Sequence, residues 1–66
     1  MKTLRMKMGY TQKQLAYRIG VNQSYISKIE RGDIKSLTIG KLIKLADALQ
    51  VTPSELLNKL LNSEGG

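Results

Sequence analysis

TQKQLAYRIGVNQSYISKIERG, residues Thr11 to Gly32, reads as two short helices joined by a tight turn. Thr11 opens the first as an N-cap. Gln14 stands three residues on, which makes a capping box: two otherwise unpaired helix-start donors are satisfied reciprocally. Leu15, Ala16 and Ile19 then recur at helical spacing and form one apolar stripe. Gly20 stops this helix, because a residue without Cβ takes a left-handed cap cheaply. After Val21, Asn22 caps a second helix that runs to Arg31, and Gly32 ends it. Two helices this close in sequence must turn sharply at their junction. That is the helix-turn-helix layout, whose second helix lies in the major groove of DNA.

Outward from this stretch, the same start device repeats. A cap residue follows an apolar residue that can reach another four positions beyond the cap. The pairs are Tyr10 with Leu15 around Thr11, Val21 with Ile26 around Asn22, Leu37 with Leu42 around Thr38, and Val51 with Leu56 around Thr52. Each pair has the spacing of a hydrophobic staple, a contact that fixes how the chain enters a helix. With a first helix over Met1–Met8, they predict an all-α, compact five-helix domain over residues 1–61. Residues 62–66, Asn62 to Gly66, have nothing to bury and are expected to fray.

The first helix places Met1, Leu4 and Met8 on one face, with Arg5 at its edge. The fourth, Ile39–Leu49, is expected to turn Ile39, Leu42, Ile43, Ala46 and Leu49 to the core, with Leu45 widening the stripe. The fifth has Thr52 as cap, Pro53 in the first helical position and Glu55 completing a capping box.

Composition narrows the function. The chain has 66 residues, no cysteine and no histidine, so neither a disulfide framework nor a Cys/His metal site can be built. No apolar run reaches the roughly 18 residues of a membrane span. The basic N-terminus lacks the apolar core of a signal peptide, so a soluble cytoplasmic protein is expected. There is no phosphate-cradling glycine loop and the few acids are scattered, so an enzyme is not expected, and no cofactor is implied.

The net charge is +6, and its placement is informative. Residues 1–29 hold six cations (Lys2, Arg5, Lys7, Lys13, Arg18, Lys28) and no acid. The remainder balances five cations against five acids. A polyanionic partner facing the first half is the physical reading; a merely solubilising surface is the alternative.

At 100° per residue, Ile26 and Ile29 define the inward side of the helix after Asn22. Ser24, Ser27, Lys28 and Arg31 fall on the opposite side, with Gln23 and Tyr25 on the two flanks. That surface carries hydrogen-bonding groups and no carboxylate, which suits base edges and phosphates. Glu30 is the exception and leans toward the core, as Arg5 does. The two are expected to pair and lock the first helix to the third; a solvated Glu30 is the alternative.

With these residues, the chain resembles the phage-repressor and Cro class of helix-turn-helix proteins, the XRE-type regulators. The resemblance is carried by Leu4-Arg5, Thr11-Gln12, Leu15-Ala16, Gly20-Val21, Ser24 to Ser27, Ile29 to Gly32, Leu42, Leu45-Ala46, Leu49, Val51, and Pro53 with Glu55-Leu56-Leu57. It implies a lambda repressor-like fold that binds operator DNA, most often as a repressor. It implies that Gln12 touches a phosphate, and that Gln23, Ser24 and Lys28 reach base edges with Ser27 near them. Tyr25 and Arg31 would hold the DNA backbone, and Arg5 and Glu30 would form an ion pair. Relatives usually carry several residues before the first helix, so the start at Met1 is expected to reduce backbone contacts or core cover.

In the fifth helix, Leu56, Leu57, Leu60 and Leu61 span about 140°, wider than the roughly 100° a core-facing stripe needs. The excess, Leu57, Leu60 and Leu61, is a candidate homodimer face; burial of all four is the alternative. The resemblance favours a two-fold dimer, whose recognition helices would lie about 34 Å apart on a near-palindromic site of double-stranded DNA. The rival is a protein-binding module, such as the antitoxin of a toxin–antitoxin pair, in which DNA binding is secondary.

Overall fold

Four short-range hydrogen bonds start four of the five helices. The side-chain oxygens of Thr11, Asn22, Thr38 and Thr52 each accept from the backbone N–H three residues on, at 2.9–3.1 Å. At Thr11 and Thr52 the cap's own backbone N–H donates in return to the side-chain oxygen of Gln14 or Glu55, which completes the box. The computed structural model describes residues 1–62. In chain order the elements are α1 (Lys2–Lys7), α2 (Gln12–Ile19), α3 (Gln23–Glu30), α4 (Ile39–Leu49) and α5 (Pro53–Leu61). The fold is all-α, with no strand among the described residues. Residues 63–66 of the expected frayed tail lie outside them.

Helix α2 packs on α3 and on α4, and α4 packs on α5. Leu15, Ile26, Ile29, Leu45 and Leu56, from α2 to α5, are fully buried at the centre. Tyr10, Val21, Leu37 and Val51, each just before a cap, pack half-buried against that core. The sharp turn between α2 and α3 rests on Gly20, whose φ of 78° is open to glycine without a Cβ penalty. Helix α4 ends differently: Gln50 takes the left-handed position at φ 60°.

Three apolar side chains expected in the core are exposed. Helix α1 ends at Lys7, so Met8 is its C-cap and leaves the buried face. On α4 the buried residues are Leu42, Leu45, Ala46, Ala48 and Leu49, so the inward direction is rotated toward Leu45. Ile39 and Ile43 therefore fall on the far flank, 71% and 51% exposed. On α5, Leu56 and Leu60 are buried and Leu57 is half-buried, leaving Leu61 exposed at 65%. Leu60 thus belongs to the core packing between α4 and α5 rather than to an outer apolar face.

Candidate nucleic-acid interface

Helix α3 turns Ile26 and Ile29 into the core and keeps its opposite side free. On that side Gln23, Ser24, Lys28 and Arg31 are exposed, while Ser27 is half-covered. Arg31 Nη1 donates to Ser27 Oγ at 2.7 Å, one helical turn back. The guanidinium thereby lies along the helix surface, and the Ser27 hydroxyl keeps its own proton to donate.

Tyr25 stands apart from these residues. It is half-buried, and its hydroxyl donates to the Ser36 carbonyl at 3.3 Å. Burial raises the Tyr25 pKa above the ordinary phenol value, so the neutral donor form is kept. Its phenol therefore braces the segment between α3 and α4. Asp33 N–H, donating to the Lys28 carbonyl at 2.9 Å, holds the start of the same segment.

Glu30 is the only acid on α3, and it faces inward. Arg5 Nε donates to its Oε2 at 2.6 Å, and Arg5 Nη2 reaches Oε1 at 3.5 Å. The Arg5 and Glu30 side chains are 9% and 7% exposed. Arg5 Nη1 donates to the Tyr10 carbonyl at 2.8 Å, so the guanidinium also ties α1 to the turn before α2. With Glu30 neutralised inside, no negative side chain of α3 reaches its outer surface, and the positive field of the first half is left uncompensated there.

Gln12, the first residue of α2, sits between this pair and the recognition surface. Its Nε2 donates to Glu30 Oε1 at 2.9 Å, and its Oε1 accepts from Gln23 Nε2 at 3.3 Å. Gln12 and Gln23 are thus brought together, and both touch one open recess that Lys2 and Lys13 also line. Lys2 and Lys13 join the interface here, although neither lies on the second motif helix. Only their membership of the acid-free half pointed to them, because the folding of α1 beside the start of α2 is a tertiary event. Ser24, Lys28 and Arg31 lie further along α3.

Among the described residues there is no group of carboxylates that could hold a metal ion, and no helix long and apolar enough to cross a membrane. The sequence profile of the Helix-turn-helix family matches residues 1–56. Over 54 residues the chain is 41% identical to the HTH-type transcriptional regulator SlrR of Bacillus subtilis, covering 82% of this chain and 36% of that protein. It is also 41% identical, over 54 residues, to the uncharacterized HTH-type transcriptional regulator y4dJ of Sinorhizobium fredii, covering 82% of this chain and 69% of that one. The chain thus spans little more than a third of the Bacillus relative's length. No solved structure matches the chain at a significant level.

Proposed function

The chain belongs to the helix-turn-helix family of DNA-binding transcriptional regulators, which are not enzymes, and on that premise we propose that it represses transcription by occupying a near-palindromic operator as a homodimer. Helix α3 enters the major groove. Gln23, Ser24 and Lys28 read base edges with Ser27 beside them, and Gln12 and Arg31 hold phosphates. Tyr25 serves the backbone contacts by bracing the segment after α3. Dimerisation through α5 would present two copies of α3 about 34 Å apart, one turn of duplex.

The observation that carries this reading is the sign and freedom of the α3 surface. Its exposed residues are polar or cationic, and its single carboxylate is buried against Arg5. The reading is tested by binding to duplexes selected from a random pool, measured across a salt series. Each phosphate neutralised by a cation contributes about −0.9 to the slope of log K against log salt. A slope of several units, with a selected sequence favoured over random duplex, is expected. A flat salt response overturns the proposal.

A further inference from the structure

Glu30, Gln12 and Gln23 form a hydrogen-bond relay from the interior to the outer end of α3. The two ends of a glutamine amide are alike in shape and opposite in function: one accepts, the other donates twice. Which end of Gln23 faces outward therefore decides what it can read. Neither glutamine can settle this alone, because the pair could turn over together.

The ion pair settles it. A carboxylate held by a guanidinium offers acceptors only. Glu30 Oε2 is taken by Arg5 Nε, and Oε1 faces Gln12. Gln12 must therefore turn its NH2 to Glu30 and its carbonyl to Gln23. Gln23 must in turn spend one amide proton on Gln12. Its carbonyl oxygen and second amide proton have no protein partner among the described residues.

We propose that Glu30, which lies on the core side of α3, is the positioning residue that sets the hydrogen-bond polarity of Gln23. This rests on the DNA-binding reading above. With an acceptor beside a donor, Gln23 is matched to a base edge carrying an amine beside an acceptor, as adenine does with N6 and N7. Guanine, with two acceptors at O6 and N7, is mismatched.

The substitution Glu30→Gln reverses the relay. Arg5 Nε, whose contact of 2.6 Å is much the shorter, takes the oxygen of the new amide, and the marginal 3.5 Å contact of Arg5 Nη2 is given up. The new NH2 then faces Gln12, which turns its carbonyl inward and its NH2 to Gln23. Gln23 accepts that bond through its own carbonyl and presents two donors outward. The preferred base at one position should change from adenine to guanine, with discrimination on the order of tenfold or more.

The test compares duplexes selected from a random pool by the wild type, Glu30→Gln and Gln12→Met, each checked for helix content. Gln12→Met cuts the relay but leaves the Arg5–Glu30 pair whole, so it decides the matter if Glu30→Gln fails to fold. It should flatten the preference at that same single position, in addition to the sequence-independent loss of affinity that follows from removing the Gln12 phosphate contact. A uniform loss of affinity with every base preference intact overturns the proposal, as does an unchanged preference in Glu30→Gln. Side-chain amide NMR of the free protein separates the two readings. If Glu30→Gln or Gln12→Met moves the Gln23 NH2 resonances while the wild type binds no duplex, the relay stands and the DNA reading falls. Unmoved Gln23 resonances overturn the relay whatever the DNA result.

Discussion

Arg5 and Glu30 stand 25 residues apart and meet at 2.6 Å. Their side chains are almost wholly withdrawn from solvent. Both charges lose hydration there, and the shared hydrogen bonds offset that loss. The guanidinium has partners on α3 and in the turn after α1, so the pair fixes where α1 sits against the helix-turn-helix.

Removing one charge should therefore be costlier than removing both. Arg5→Met leaves Glu30 buried without its partner and is expected to lower stability by about 3–5 kcal/mol. In a domain this small, that is much of the total. The double variant Arg5→Met, Glu30→Met should recover most of the loss. Urea titrations of the three proteins check this. A double variant no more stable than Arg5→Met would show that the pair contributes more than mutual neutralisation.

Leu60 and Leu61 are adjacent but face different surroundings, 5% and 65% exposed. Leu61→Lys should leave monomer stability within about 0.5 kcal/mol, as surface changes usually do. If α5 carries the dimer contact, the same change shifts sedimentation toward the monomer. Leu60→Ala should instead destabilise the fold by about 2–5 kcal/mol through a core cavity. A Leu61→Lys protein that still sediments as a dimer would place the interface elsewhere, with exposed Ile39 and Ile43 as the next surface to vary.

Glu55 gives the fold an acid-sensitive joint. Its pKa is lowered by the Thr52 backbone N–H, then by the Thr52 hydroxyl, with the charge of Lys59 adding to both. The native value lies below the unfolded one, so the unfolded chain binds more protons in the window between them and stability rises with pH there. The contribution is complete above the ordinary glutamate value and is lost as pH falls through the native one. Glu55→Gln keeps a capping-box acceptor without the charge. The wild type should be the more stable at about pH 7, and this advantage should vanish at about pH 2. Thermal melts at both values decide it.

Lys28 is exposed on the outer side of α3 with no carboxylate near it on that helix. Lys28→Ala should relax the preference at particular base pairs by about 1–3 kcal/mol. Lys13→Ala, in the recess beside Gln12, should weaken all sites alike and reduce the salt slope by about 1. Titrations of both variants against single-base-substituted duplexes distinguish the roles. Equal, sequence-independent losses would mean that Lys28 holds phosphate rather than reading bases.

The amino-acid sequence alone determined where helices begin. The four capping bonds span three residues each, so each is set by its own few side chains whatever the rest of the chain does. The same holds for the Gly20 turn, for the helix-turn-helix spacing and for the confinement of excess positive charge to residues 1–29. The end of α4 was less legible, because Gln50 rather than glycine occupies its left-handed cap.

Tertiary structure decided which side of each helix is inside. Periodicity gives a helix an apolar arc, but neighbouring helices choose the centre of that arc. On α4 they turned it to Leu45 and left Ile39 and Ile43 in solvent. On α5 they took Leu60 and left Leu61. The contacts of Gln12 with Glu30 and with Gln23 cross 18 and 11 residues of sequence. Bonds of that reach form only after α2 and α3 have crossed at a particular angle, and that angle is fixed by the packing of Leu15, Ile26 and Ile29, not by any residue in the relay.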